Sequence, residues 1–308
     1  MAEPTPRRTS VVDVGTRVTS RLPQGKLRIE LLTDPWSVWC WGFEPVRRAL
    51  VLRHPDLEFR FLVGGMFEEM PRPDQIGFDV DRFFGIVQRT TGMPIRADGP
   101  RRDPPTSTYP ACIHVHTVRL IAPELEDAYL RALREAVYLD GLNISRDEVG
   151  ADVAERVGIP RARFLEARRS GQPEAVFKDT VAKLQAKDLH GYPTVLFTLD
   201  ERTHVVQGFQ SLPAILGIAQ SLTGRLHRPT PDPPVSAIVP PGERVASREI
   251  AEVLGVSVEA AYDLCTAAEA KGTLVREAHP TGVVWSQKGT KPAPTKRSPR
   301  SAIITPQP

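Results

Sequence analysis

Residues 33–45 are Thr-Asp-Pro-Trp-Ser-Val-Trp-Cys-Trp-Gly-Phe-Glu-Pro. Residues 26–33, which lead into this stretch, alternate apolar and polar side chains as a half-buried strand does. Residues 43–54, which begin at its end, have helical spacing. We therefore predict a strand-to-helix turn here. The first turn of a helix presents free backbone N–H groups and the positive end of its dipole, which favour an anion or a thiolate. Ser37 and Cys40, which lie in this turn, are the candidate catalytic residues.

The patterns on either side of the turn predict a mixed α/β domain. A second strand is expected over residues 57–63, and residues 66–190 have mainly helical patterns, with a continuous one over residues 110–140. A hairpin follows, with strands over residues 194–199 and 205–207, and then a helix over residues 212–222. The order of strand, helix, strand, helical insertion, hairpin and helix is that of a thioredoxin fold with an all-helical insertion.

The turn also resembles a known active-site motif. In the FrnE-type dithiol-disulfide isomerase branch of the DsbA-like superfamily, the motif is Asp-Pro-X-Cys-X-Trp-Cys-Trp-Gly-Phe-X-Pro. This chain matches it except at the first cysteine, where it has Ser37. Two later segments resemble the same branch in the same order, namely Tyr-Pro-Ala-Cys at residues 109–112 and Gly-Tyr-Pro-Thr at residues 191–194. The resemblance covers about residues 27–222 and implies a DsbA-like domain.

The resemblance implies a groove between the turn and the loop at residues 191–194. In the family this loop carries a cis-proline, which corresponds to Pro193 here, and a cis X–Pro bond costs only about 0.5–1 kcal/mol. The backbone beside it could accept an extended peptide or a glutathione-like ligand as a short added strand. His190 could shuttle a proton there, although a surface histidine is the more frequent situation. The residues expected to contact a ligand are Trp36, Trp39, His190, Tyr192, Pro193 and Thr194.

Ser37 changes what this site can do. A serine hydroxyl cannot form a disulfide and stays protonated near neutral pH, so the dithiol cycle of the family cannot run within this motif. Whether the chain is an enzyme is therefore open, and three hypotheses follow.

In the first hypothesis Cys40 works alone as a monothiol. In the second, Ser37 donates a hydrogen bond to the thiolate of a bound low-molecular-weight thiol such as glutathione or mycothiol. Kappa-class glutathione transferases and hydroxychromene carboxylate isomerases have a serine at a similar place in their turn, and this thiol-dependent hypothesis is our first choice from the sequence. In the third, the domain performs no chemistry and is an adaptor that binds peptide or protein, as cytoplasmic protease adaptors of this branch do.

The rest of the chain predicts further segments. Residues 1–24 resemble a flexible arm, and residues 25–224 form the DsbA-like domain. Residues 225–241 are rich in proline, as a stiff linker is. Residues 242–287 have two helical patterns and a hairpin and suggest a winged-helix-like module, followed by a disordered basic tail over residues 288–308.

The winged-helix-like module raises the question of nucleic-acid binding. Its second predicted helix, residues 257–271, contains three acidic side chains and one lysine, whereas DNA-reading helices carry arginine or lysine. The whole chain carries +3, of which residues 288–308 supply +5 and residues 1–24 supply +2, so that residues 25–287 carry −4. We expect a protein contact from this module, and a DNA-binding regulator is only the third functional alternative.

The composition sets the remaining expectations. Three cysteines, Cys40, Cys112 and Cys265, argue against a disulfide-stapled secreted protein and favour a reducing, cytoplasmic compartment. No apolar run has the length of a membrane span, so no membrane partner is expected. Cys112 and His116 share a helix face but have no third ligand at a recognisable spacing, so we expect no metal site.

Overall fold

A four-stranded mixed sheet lies at the centre of the computed structural model, which describes residues 26–71, 79–96 and 98–289. Its strands are β1 Arg28–Thr33, β2 Glu58–Val63, β3 Thr194–Leu199 and β4 Arg202–Gln207. Their order across the sheet is β2-β1-β3-β4, with β2 parallel to β1 and the other neighbours antiparallel. The predicted thioredoxin fold of the α/β class is confirmed.

Ten helices of the described residues surround this sheet, together with a short 3-10 turn at Pro123–Leu125. They are α1 Val38–Gly42, α2 Glu44–Arg53, α3 Val80–Thr91, α4 Gly99–Arg102, α5 Tyr109–Ile121, α6 Glu126–Tyr138, α7 Asp147–Arg156, α8 Arg161–Arg169, α9 Gln172–Ala186 and α10 Leu212–Thr223. Helices α3 to α9 lie between β2 and β3 in the chain, where the helical insertion was predicted.

Apolar side chains pack against both faces of the sheet. On one face, Ile29 and Leu31 of β1 pack against Val46 of α2 and Ile215 of α10. On the other face, Leu32 packs with Leu184 of α9 and Leu196 of β3. The alternation of buried side chains along β1 thus divides them between two cores, as the period-2 pattern of a strand requires.

The structure differs from two details of the predicted elements. The predicted helical pattern over residues 110–140 forms two helices, because the ring of Pro123 and its missing N–H interrupt the helix between α5 and α6. Strand β4 begins at Arg202 rather than Val205. Its first three residues are polar because this edge strand is exposed, so they gave no apolar signal.

A small C-terminal module packs against the thioredoxin domain. It consists of helices α11 Val235–Ile238, α12 Ser247–Leu254 and α13 Val258–Ala270 and strands β5 Val245–Ala246, β6 Leu274–His279 and β7 Gly282–Gln287, in the sheet order β5-β7-β6. Its core contains Trp285 and Cys265, and Ala49 of α2 belongs to the same apolar cluster. Helices α12 and α13 and the β6–β7 hairpin occupy the predicted positions, whereas α11 lies within the predicted linker. The winged-helix comparison stays a prediction.

Buried ion pairs join the module to the domain. Glu249 of α12 accepts hydrogen bonds from Arg48 of α2 at 2.9 Å and from Arg131 of α6 at 2.9 and 3.0 Å. Arg131 also contacts Glu44 at the start of α2, and all four side chains are at most 4% exposed. This cluster of Glu44, Arg48, Arg131 and Glu249, called the interface ion cluster below, connects α12 directly to α2 and α6.

The proline-rich segment also follows the surface of the domain. Thr230 exchanges hydrogen bonds with Arg53 at the end of α2, at 2.8 and 2.9 Å. His227 bonds to Asp56 at 2.5 Å and to Thr223 at 2.9 Å. The predicted arm, residues 1–24, and most of the predicted basic tail lie outside the described residues.

Candidate functional site

The candidate turn and the proline loop lie at the same end of the sheet. Leu32 of β1 is paired with Thr194, the first residue of β3, so the turn that follows β1 adjoins the loop that precedes β3. Thr33 is paired with Val63, the last residue of β2, which brings residues 64–66 to the same edge. The parallel and antiparallel registers therefore bring three chain segments together around residues 34–40.

Asp34 organises this end of the sheet. Its buried carboxylate accepts hydrogen bonds from the backbone N–H groups of Trp36 at 2.7 Å and Met66 at 2.8 Å and from the hydroxyl of Thr108 at 2.7 Å. Burial raises the pKa of Asp34 even though these hydrogen bonds oppose the shift. The carboxylate thus ties the turn to the segment after β2 and to the start of α5.

Ser37 caps the helix that contains Cys40. Its backbone is extended, and its Oγ accepts a hydrogen bond from the backbone N–H of Cys40 at 3.3 Å. This is the role that serine commonly has at a helix N-terminus. Only 4% of Ser37 and none of Cys40 is exposed. The two candidate catalytic residues are brought together as predicted, but both lie beneath the protein surface.

The surroundings of Cys40 hold it in the thiol form. Burial raises its pKa, and the opposing effects of Arg134, Ser37 and Thr33 do not cancel that shift. The thiolate is the nucleophilic form of cysteine, and a buried, protonated thiol reacts slowly. Cys40 therefore has neither the access nor the ionisation that an attacking monothiol needs.

The three tryptophans of the turn differ in exposure. Trp36 is 8% exposed, and its Nε1–H donates to Ser145 Oγ at 2.9 Å, so the helical insertion covers it. Trp39 is half-buried and contacts the rings of Phe83 and Phe209, at centroid distances of 6.5 and 5.9 Å. Trp41 is fully buried. Of the two tryptophans expected to contact a ligand, Trp39 is the more accessible.

The proline loop has the conformation that the resemblance implies. The Tyr192–Pro193 peptide bond is cis, and the Tyr192 hydroxyl donates to the carbonyl of Gly65 at 3.0 Å. Burial and the carboxylate of Asp34 raise the pKa of Tyr192, so its phenol stays protonated. Thr194 is fully buried, and its hydroxyl donates to Gly191 O at 2.9 Å.

His190 stands apart from this buried set. Its side chain is 70% exposed and lies 3.3 Å from Asp188 on the same loop. The surface-histidine alternative considered above agrees with this placement.

Cys112 and His116 of α5 serve the packing of the helix on β2. The Cys112 thiol donates to Gly64 O at 2.8 Å, and His116 Nε2 donates to Val63 O at 3.2 Å. Burial lowers the pKa of His116 to about 4, which keeps the ring neutral. Within residues 26–71, 79–96 and 98–289, no group of three or more His, Cys, Asp or Glu side chains is arranged to hold a metal ion.

Several residues that shape the site lack a strong local signal in the sequence. Thr108 reaches Asp34, Tyr138 donates to the carbonyl of Trp36 at 2.6 Å, and Arg134 contacts both Thr33 and Glu44. These side chains come from the helical insertion, and only the tertiary fold brings them to the turn. The helices α5 and α6 thus close the site that the turn would otherwise leave open.

Comparison with known proteins agrees with this architecture. The thioredoxin family model matches residues 31–215. A crystal structure of a putative protein disulfide isomerase from Nitrosomonas europaea superposes with a TM-score of 0.56 at 22% identity, covering 64% of this chain and 97% of that one. Within the described residues, no helix is both long and apolar enough to cross a membrane.

Two curated relatives match about three quarters of the chain. The ClpXP adapter protein SpxH of Halalkalibacterium halodurans is 26% identical over 247 residues, which is 76% of this chain and 80% of that protein. The protein of the same name from Bacillus subtilis is 22% identical over 245 residues, covering 77% and 81%. Since the family model spans more than half of the sequence and agrees with the sheet order, this chain belongs to the thioredoxin family.

Proposed function

We propose that this protein is a cytoplasmic adaptor that binds a client protein, with no thiol chemistry at Ser37 or Cys40. The single observation that carries the proposal is the burial of both residues, of which 4% and none are exposed. A hydroxyl that already caps its own helix and a fully buried thiol lack the contact with solvent that thiol exchange requires.

The adaptor proposal replaces the thiol-dependent hypothesis as our first choice. Stabilisation of a bound thiolate requires the ligand sulfur to reach the Ser37 hydroxyl within hydrogen-bond distance. That hydroxyl already caps α1, and Ser37 is only 4% exposed. A glutathione- or mycothiol-dependent reaction would require the residues that bury Ser37 to move first.

The curated relatives support a more specific role. They are named for an adapter of the ClpXP protease, and their similarity covers about three quarters of this chain. We propose that the present protein likewise brings a client to ClpXP. An extended client segment would lie beside the cis-proline loop at residues 191–193, where a peptide can add a strand to the sheet.

The test is a comparison of protein half-lives in the native host. The gene for this protein is deleted in one strain, ClpP is inactivated in a second, and both changes are combined in a third. We expect a small set of proteins to be stabilised several-fold in each strain, with no further increase in the third strain. If deletion stabilises no protein that ClpP inactivation also stabilises, the proposed delivery to ClpXP is wrong.

A further inference from the structure

The longest helix of the C-terminal module presents an apolar stripe to solvent. Three of its members are spaced by four and three residues, so they lie along one line of α13, and the fourth precedes the cap residue Ser257. The four members are Val256, Ala260, Leu264 and Ala267, all exposed. Val256 is 40% and Leu264 45% exposed, whereas Ala261 and Cys265 on the opposite side are buried in the module core. We call these four residues the α13 stripe.

Two carboxylates border the stripe on one side. Glu259 and Asp263 are one helical turn apart, and both are exposed. Neither is ion-paired with a cation among the residues that the structure describes, whereas nearby Glu252 lies 2.5 Å from Arg248. The stripe is therefore bordered by two negative charges that no described cation neutralises.

A cleft begins at the same two carboxylates. It has a volume of about 480 Å³ and separates α13 from the segment after α3 and from the β6–β7 turn. It is also lined by Arg248 of α12, whose charge is paired with Glu252, and by Val258, Tyr262, Pro94, Thr281 and Gly282. A long side chain from a molecule lying on the stripe could enter this cleft beside Glu259 and Asp263.

The stripe is held on a rigid support. The hydroxyl of Ser257 caps α13 by accepting from the N–H of Ala260 at 3.2 Å, and the ring of Tyr262 contacts that of Trp285 with a centroid distance of 5.6 Å. The interface ion cluster fixes the neighbouring helix α12 to the thioredoxin domain. A preformed surface loses little conformational entropy when a partner binds.

We propose that the α13 stripe is a second client-binding surface besides the cis-proline loop, and that it binds a basic amphipathic segment of the client protein. The apolar side chains of that segment lie on the stripe, and its lysines or arginines lie at Glu259 and Asp263. The apolar line favours a helix or strand with one apolar face. The carboxylates select positive charge beside that face and oppose the phosphates of nucleic acid. The identity of the partner as a client rests on the adaptor function proposed above.

The experiment measures the binding of two designed helical peptides to the full chain by fluorescence anisotropy. Each peptide has about 18 residues and a leucine face; one carries lysines beside that face and the other carries glutamates at the same positions. We expect the lysine peptide to bind at least about tenfold more tightly than the glutamate peptide. Leu264→Glu should weaken it by about the same factor, and the double variant Glu259→Lys, Asp263→Lys should reverse the preference.

Leu120→Glu is the matched control, because Leu120 is a 39% exposed leucine near the end of α5, far from the module in sequence. It should leave both affinities unchanged. Equal binding of the two peptides, or an equal effect of Leu120→Glu and Leu264→Glu, would overturn the proposal. Tight binding only after removal of residues 290–308 would also overturn it, because the chain's own basic tail would then be the occupant.

The peptide-binding assay tests the α13 stripe and the half-life comparison tests the adaptor function, and either one can give a negative result without the other. Charge-dependent peptide binding needs no protease, so it tests the surface even if no client of ClpXP is found. Conversely, stabilised clients without any effect of Leu264→Glu on peptide binding would retain the adaptor function and remove α13 as its binding surface.

Discussion

At the scale of single residues, Ser37 separates this protein from a dithiol oxidoreductase. Its hydroxyl accepts from the N–H of Cys40 at 3.3 Å, so the two side chains are already neighbours at the helix start. A cysteine at this position would recreate the Cys-X-X-Cys motif of the family. The missing sulfur and the burial of Ser37 and Cys40 are thus two independent barriers to catalysis.

The substitution Ser37→Cys restores the missing sulfur and leaves the burial of the turn unchanged. We expect the variant to form a disulfide between the introduced cysteine and Cys40 on oxidation. Intact mass spectrometry would detect the loss of two hydrogens, and peptide mapping would locate the bond. Insulin reduction should remain at the background rate in the wild type and rise only weakly in the variant, because the turn stays buried. Rapid insulin reduction by the wild type would contradict our account of the turn.

His116 provides a residue-scale prediction on pH. Its pKa is about 4 in the folded protein, against 6.5 when exposed, because burial disfavours the charged ring. Below pH 6.5 the unfolded chain binds a proton that the folded chain does not, so stability falls as the pH falls. The loss from this group is about 3 kcal/mol once the pH is below 4.

Urea unfolding at a series of pH values measures this effect. The free energy of unfolding of His116→Gln should depend less steeply on pH between 6.5 and 4 than that of the wild type. His190→Gln, at a 70% exposed side chain, is the control and should keep the slope of the wild type. Parallel curves for wild type and His116→Gln would show that the ring is not a source of acid sensitivity.

At the scale of elements, the interface ion cluster joins α2, α6 and α12. Removal of Glu249 leaves the guanidinium groups of Arg48 and Arg131 buried without their shared carboxylate. Breaking one partner out of a buried ion pair typically costs about 3–5 kcal/mol. Glu249→Ala should therefore lower the free energy of unfolding by about 3 kcal/mol, measured by urea denaturation.

Glu252→Ala is the matched control for that prediction. It removes a glutamate from the same helix, and the ion pair of Glu252 among the described residues is with the partly exposed Arg248, one helical turn away. Such a pair contributes about 0.3–0.5 kcal/mol. Equal effects of the two variants would mean that the buried cluster does not hold the module.

Sequence patterns predicted the elements well where the signal was local. The alternation in β1 and the turn between the last two strands depend on neighbouring residues. The helical pattern was recognised only over residues 43–54, so the start of α1 at Val38 was missed. The interface ion cluster could not be predicted, because Arg48, Arg131 and Glu249 come from three distant segments and each also fits an exposed helix face. The burial of Ser37 was missed for the same reason, since its cover comes from the insertion.

At the scale of the whole molecule, the module and the thioredoxin domain share apolar and ionic contacts. Ala49 of α2 lies in the module core, and Ile95 of the domain donates its backbone N–H to Thr281 at 2.9 Å. We expect one cooperative unfolding transition for the full chain by calorimetry. A chain that ends at Gly224 would expose this interface and should aggregate or unfold at a lower temperature.

A chain that ends at Gly289 is the control for this truncation. It keeps the module and removes only residues 290–308, so its melting temperature should equal that of the full chain. Two separate transitions in the full chain, or an unchanged melting temperature after truncation at Gly224, would mean that the module is an independent unit.

The central claim is that this protein acts by binding and without a reactive thiol. The most direct measurement is the half-life of the stabilised client proteins in the deletion strain after it is given back either the wild-type gene or the Cys40→Ala variant. Our account predicts that both genes restore rapid degradation to the same extent, at equal levels of folded protein. If the variant is present at the wild-type level and the clients remain stable, the Cys40 thiol is required and the account is wrong.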